Sequence, residues 1–252
     1  MINLSVNVNK IATLRNSRGG NIPDLKKLTR KILDCGVQGI TVHPRSDARH
    51  ITSQDTQDVK ELIASYNQKN GTQIEYNIEG EPSERFLKII QENKPTQATL
   101  VPVKPGEITS DHGFDFSKDT DFLAEKIAKL KKQEVRIALF VEAGVKDLHI
   151  AKEIGADRIE LYTGPYAEDF SRGKVEESFA IYQETALQAE KLGLGVNAGH
   201  DLDVENLQVF RQLPGLEEVS IGHRLISYAL EVGLETAVKQ YLKTLLEGNG
   251  VA

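Results

Sequence analysis

Short β-branched apolar runs recur along the chain, each followed by a turn and then by a longer stretch whose apolar residues return every three or four positions. Eight of these runs read as strands: NLSVN, GITVH, IEYNI, QATLVP, RIALFVE, RIELYT, GLGVNAG and EVSIGH. Between them, DLKKLTRKILDCG, TQDVKELIASYNQKNG, PSERFLKIIQENK, DTDFLAEKIAKLKKQ, KDLHIAKEIG and VEESFAIYQETALQAEKLG have helical spacing, and several close on a glycine suited to a helix C-cap. Alternating strands and helices predict parallel strands joined by crossovers. Eight units closing on themselves make a (β/α)8 TIM barrel of the α/β class, whereas an open doubly wound sheet carries fewer strands. No linker, low-complexity tract or charge block divides the chain, so residues 1–252 are expected to form one barrel domain. Two polar stretches, VKPGEITSDHGFDFSKD and GPYAEDFSRGK, exceed the usual βα loop length and read as lid candidates.

Composition narrows the class. With 39% hydrophobic and 27% charged residues the chain can bury a core. Its net charge of -6 favours neither nucleic acid nor an anionic membrane, so an anion must be held by a local cluster. The single Cys35 has no internal partner for a disulfide, and the N-terminus MINLSVNV lacks signal-peptide character. No apolar run approaches the roughly 20 residues of a membrane span. A cytoplasmic protein is the expectation. No strand is followed by a Gly-rich nucleotide-binding motif.

A barrel of this kind carries its active site where strands end and βα loops begin. Five of the six histidines, His43, His50, His112, His200 and His223, fall at or just after predicted strand ends, and only His149 lies in a helical stretch. The same face is expected to receive Asn7 and Asn9, Glu75, Thr109, Glu142, Glu160 and Asn197. Lys10, Arg18, Arg45 and Arg49 add cations, and Arg beside Gly-rich turns suits phosphate or carboxylate. The last strand leads through Gly222 and His223 into a helix, a place where a helix N-terminus offers unpaired N–H donors to phosphate. Blander readings stand beside these. A single strand-end His is more often structural than catalytic, Glu142 could cap the helix near Lys146, and Arg18 and Arg49 could be solvated. Glu75, between Ile74 and Tyr76, is harder to dismiss, because a buried carboxylate is costly and has a perturbed pKa. No metal-ligand spacing is present, and Lys10 and Lys104 lie in polar stretches unsuited to a Schiff-base lysine.

Six segments in order, VNVNKIATLRNSRGG, GITVHPRSDARHIT, LVPVKPGEITSDHGFD, ELYTGPYA, GLGVNAGHDL and SIGHRLIS, closely resemble the pyridoxine 5′-phosphate synthase family, from first strand to last. The resemblance implies a cofactor-independent, metal-free barrel enzyme, a transferase of vitamin B6 biosynthesis. It condenses 3-amino-2-oxopropyl phosphate with 1-deoxy-D-xylulose 5-phosphate to give pyridoxine 5′-phosphate, phosphate and water. It also implies a homo-octamer built from dimers. Carried over residue by residue, the catalytic bases fall on His43 and Glu75 and the proton donor on His200. The amino-ketone phosphate falls to Asn7, Arg18, Asp201, Gly222 and His223, and the pentulose phosphate to Asn9, Lys10, Arg45, His50 and Thr109. No family role falls on Arg49, which is expected to face solvent. This chain departs from the commoner pattern at Asn9-Lys10, where the family has Asp-His, and at Asp201, where it has Gly. That carboxylate must turn from a phosphate or pair with a cation. The alternatives are another phosphosugar isomerase or aldolase on the same barrel, or a non-catalytic barrel that binds phosphorylated metabolites.

Overall fold

The structure, a computed structural model, describes residues 1–103 and 110–246. Eight parallel strands hydrogen-bond in sequence order and close, β1 returning to β8. They are β1 Asn3–Asn7, β2 Gly39–Val42, β3 Glu75–Gly80, β4 Gln97–Leu100, β5 Arg136–Val141, β6 Arg158–Tyr162, β7 Gly195–Gly199 and β8 Leu216–Ile221. Around them lie α1 Asn9–Asn16, α2 Leu25–Asp34, α3 Ser53–Asn70, α4 Glu84–Asn93, α5 Phe116–Lys131, α6 His149–Glu153, α7 Gly164–Ser171, α8 Val175–Lys191, α9 Leu207–Phe210, α10 His223–Val232 and α11 Leu234–Leu246. The predicted (β/α)8 TIM barrel is therefore present, with every predicted strand in place.

Local chemistry starts the helices where the sequence marks them. Asp24 caps α2 through the Lys27 N–H, Ser83 caps α4 through the Phe86 N–H, and Thr52 and Asp55 form a reciprocal capping box at α3. Gly71 ends α3 in the left-handed conformation. Two segments differ from expectation. NKIATLRN, part of the polar stretch that carries Lys10, is the helix α1, and GPYAEDFS, within a polar lid candidate, is the helix α7 with proline in its first turn. Proline suits that position because its missing N–H has no intrahelical partner there. Part of the other lid candidate, with Lys104 and Thr109, lies outside the described residues.

The strands point Leu4, Val6, Ile40, Val42, Ile78, Leu100, Ile137, Leu139, Ile159 and Leu161 outward into one apolar layer shared with the helices. The alternate positions point into the barrel, and they are polar: Ser5, Thr41, Asn77, Gln97, Thr99, Glu160, Asn197, Glu218 and Ser220 are all buried. Burying so many polar groups is tolerated because they satisfy one another. Ser5 Oγ lies 2.7 Å from Thr41 Oγ1, Thr99 Oγ1 donates to Asn77 Oδ1 at 3.1 Å, and Asn197 Nδ2 donates to Gln97 Oε1 at 3.3 Å. Among the described residues no helix is long and apolar enough to cross a membrane.

Candidate active site

At the C-terminal ends of the strands a cleft of about 510 Å³ opens, lined from β1, β2, β3, β6, β7 and β8 and the segments that follow them, with Ser110 from the segment after β4. Asn7, Asn9, Lys10, His43, Arg45, His50, His200, Asp201, Gly222 and His223 all line it. These ten of the expected residues come from separated parts of the sequence and meet only because the barrel closes.

The floor is built by short relays of hydrogen bonds. Asn7, the last residue of β1, accepts from the Asn9 N–H at 3.0 Å, and Asn9 Oδ1 accepts from the His43 N–H at 2.9 Å. The side-chain carbonyl of Asn9 thus holds the tip of β2 in place. Gly222 meets the same corner: a Cβ there would come 3.1 Å from Asn7 Cβ, a contact tight enough that Asn7 would have to give by a few tenths of an ångström. Asn16, the last residue of α1, extends the relay by donating to the His50 carbonyl at 2.7 Å and to the Arg49 carbonyl at 3.3 Å.

Glu79 on β3 is the buried carboxylate of the cleft. It accepts from Asn7 Nδ2 and Ser220 Oγ, each at 3.4 Å, and its Oε2 lies 3.8 Å from His43 Nδ1. Burial pushes its pKa up to about 7, a rise that the Ser220 hydrogen bond only moderates. Burial lowers His43 to about 3, and the neighbouring His50 and Arg45 lower it further in the same sense. His50 falls to about 4 through burial and through Arg45 and Lys10. At neutral pH the site therefore presents neutral imidazoles and a carboxyl poised between its two forms, a combination suited to taking and giving protons.

His200 stands across the cleft. Its ring packs edge-on against Phe140 and Tyr162, with centroids 5.1 and 5.5 Å away, and among the described residues its buried Nδ1 has no hydrogen-bond partner. Burial lowers its pKa. His200 and Asp201 both take left-handed backbone, at φ 81° and 56°. Thr163 secures this turn by donating to the Gly199 carbonyl at 2.6 Å, while its hydroxyl also meets the His200 carbonyl.

Other expected residues lie elsewhere, and the position of Glu75 departs most from the expected face. It opens β3 at the opposite, N-terminal mouth of the barrel and pairs with Arg136, the first residue of β5, Nη1 to Oε1 at 3.1 Å. Glu75 and Glu79 share the inward side of one strand, but four residues separate them by roughly 13 Å. Glu160 and Asn197 point into the barrel below the cleft, where Glu160, buried near Glu79 and Glu218, has its pKa raised well above the ordinary value. Arg18 lies exposed just beyond α1 and outside the lining of the cleft. Glu142 and His112 line a neighbouring recess instead of the cleft. Arg49, expected in solvent, lines the cleft with its Nε on Asp47 Oδ2 at 2.7 Å.

Glu79, Ser220 and Tyr162 line the cleft and were not singled out from the sequence. The alternation of β3 was the available signal, since Glu79 has the inward parity of Glu75 and Asn77. The run EGEP after IEYNI resembles a turn, and it hides a strand that continues to Gly80.

Among solved structures the chain resembles "Native KDPGal structure", with TM-score 0.62 at 10% identity over 98% of this chain and 96% of that one. It is similar also to thiamine phosphate pyrophosphorylase from Pyrococcus furiosus, with TM-score 0.61 at 11% identity over 99% and 98%. Identities this low bear on the fold alone. Sequence relatives are much nearer. Pyridoxine 5′-phosphate synthase of Leptospira biflexa is 56% identical over 99% of both chains, and that of Flavobacterium johnsoniae is 48% identical over 97% of this chain and all (100%) of its own. The profile of the family described as pyridoxal phosphate biosynthesis protein PdxJ matches residues 4–247. With relatives this similar along their whole length, and with the strand-end histidines gathered in one cleft, the chain belongs to the PdxJ family.

Proposed function

We propose that the protein is a pyridoxine 5′-phosphate synthase, joining 3-amino-2-oxopropyl phosphate to 1-deoxy-D-xylulose 5-phosphate and closing the pyridine ring. The observation that carries this reading is one cleft lined together by His43, Glu79 and His200, by the cations Lys10, Arg45 and Arg49 with His50, and by Gly222 and His223 at the start of α10. Two substrates that each carry a phosphate need two anion sites flanking one set of proton-transfer groups.

The amine of one substrate condenses with the ketone of the other, so the Schiff base joins the substrates and no enzyme lysine is consumed. Proton removal, loss of phosphate, addition of water and an aldol-type closure with dehydration follow. Each step moves a proton at a different atom. His43, neutral at physiological pH, accepts a proton at the β2 side. Glu79, balanced near neutrality, accepts or returns one at the β3 side, and His200 donates from β7. Arg45 and His50 hold the pentulose phosphate with Lys10, and Gly222 and His223 offer the N-terminal N–H groups of α10 to the amino-ketone phosphate. Asn7 and Asn9 orient both ends of this arrangement through the relay to His43. Thr109 and Arg18 belong to the same expected binding sets, and Glu75 acts at a distance by anchoring the far mouth of the barrel. The enzyme works without metal or organic cofactor, in the cytoplasm, as a homo-octamer.

The test is direct. Purified protein incubated with both substrates is expected to release inorganic phosphate and form pyridoxine 5′-phosphate. Loss of activity with a chelator, or trapping of a substrate on the enzyme by borohydride, would favour an isomerase or aldolase instead; tight binding of one substrate with no product would favour a non-catalytic barrel.

A further inference from the structure

The β7–β8 rim of the cleft carries a charged pair, Asp201 of the expected amino-ketone set and Arg224, to which no role has been given. Asp201 lines the cleft, and Nε of Arg224, the second residue of α10, stands 3.9 Å from Asp201 Oδ1. The side chains are 50% exposed at Arg224 and 42% at Asp201, and a pair so exposed contributes little to the stability of a fold. Backbone geometry offers no reason for aspartate either. Asp201 occupies the left-handed region, where glycine rests with less strain.

The reason lies in what surrounds the pair. Asp201 follows His200 directly and faces the start of α10, where Gly222 is the N-cap and no side chain among the described residues caps the helix. The first N–H groups of α10 are thus available to an anion. A dianionic phosphate held there meets the Asp201 carboxylate as a like charge, unless a cation stands with it. Arg224 is placed to be that cation, and the fork of its guanidinium can hold a carboxylate and a phosphate oxygen together.

We propose that Arg224 is a specificity-determining residue for a phosphate monoester at the start of α10: paired with Asp201, it cancels that carboxylate and contacts the phosphate. This rests on the reading that Gly222 and His223 hold the amino-ketone phosphate.

The experiment measures KM for each substrate, and kcat, in wild type, Arg224→Ala, Asp201→Gly and Asp201→Gly/Arg224→Ala. Arg224→Ala is expected to raise the amino-ketone KM by about tenfold, through loss of a charge-assisted contact and through the Asp201 carboxylate left unpaired beside the phosphate, with kcat and the pentulose KM nearly unchanged. The double variant, freed of the unpaired carboxylate but still without the Arg224 contact, is expected to recover part of that loss. Unchanged amino-ketone KM in Arg224→Ala overturns the proposal, as does a rise in the pentulose KM alone or a double variant no better than Arg224→Ala. Arg224→Gln, which keeps a polar side chain without charge, replaces Arg224→Ala if circular dichroism shows the latter unfolded. An inactive wild type would defeat the functional reading itself, whereas an active wild type with an indifferent Arg224→Ala defeats only this inference.

Discussion

Nδ1 of His43 lies 3.8 Å from Oε2 of Glu79, beyond hydrogen-bond length yet close enough for a proton to pass by way of a substrate atom between them. The two groups come from neighbouring strands, β2 and β3, and their environments push their proton affinities in opposite directions from the ordinary values. An imidazole reluctant to be charged beside a carboxyl reluctant to be charged is a pair that exchanges protons with a third party.

Glu79 and Glu75 are separable by mutation. Glu79→Gln is expected to lower kcat by about a hundredfold or more, the usual worth of a positioned general base. Glu75→Gln is expected to keep most of the turnover and lose about 1 kcal/mol of stability, because Arg136 retains Gln97 and the broken pair is partly solvated. Steady-state kinetics and urea unfolding of both variants check this. Full activity in Glu79→Gln with none in Glu75→Gln would move the base to the far mouth of the barrel.

Stability should depend on pH in a defined window. The folded chain refuses protons at His43 down to about 3 and at His50 down to about 4, whereas the unfolded chain takes them up near 6.5, so stability falls as pH falls through that range. Glu79 works in the opposite sense. Its contribution is fully present below the ordinary 4.5 and is lost as pH rises through about 7. His43→Gln removes one of the opposing imidazoles, so its stability should fall less than that of wild type between pH 6.5 and 5 in chemical denaturation. An equal or steeper fall would mean that the imidazole protonates freely within the fold.

Asn16 tests whether the segment carrying Arg45 and His50 must be held. Its amide donates to the carbonyls of Arg49 and His50 from the end of α1, where Arg15 pairs with Asp55 of α3 at 2.6 and 2.8 Å. Asn16→Ala should raise the pentulose KM by about tenfold, equivalent to ~1.4 kcal/mol, with a smaller change in kcat. Equal effects on both substrates would mean that the amide supports the fold and not the phosphate clamp.

Gly164 tests the packing of the proton donor. A Cβ at this position would come 2.3 Å from the Tyr162 hydroxyl, so Gly164→Ala must displace the ring that packs against His200. Overpacking of this kind costs about 1–3 kcal/mol. The expected result is a lower melting temperature together with reduced kcat, read by thermal denaturation and initial rates; a stable variant with normal kcat would show that Tyr162 moves without carrying His200.

The sequence by itself determined the order of elements and the residues at most strand tips. Alternating β-branched runs and helical spacing specify a barrel locally, since each crossover is set by its own caps and turns, and a histidine just past a strand must then appear on the C-terminal face. Where polar side chains replaced apolar ones the reading weakened: α1 and α7 are rich in polar residues, and their helicity comes from packing on the barrel more than from pattern. Depth inside the barrel was decided by tertiary structure alone. Glu75, Asn77 and Glu79 have the same parity on one strand, so period-two reasoning treats them alike, yet the stagger of eight strands gives the first to Arg136 at one mouth and the last to His43 at the other. A carboxylate becomes a proton-transfer group or a structural ion pair according to which neighbouring strands bring a partner to its level, and that register exists only once the sheet has closed.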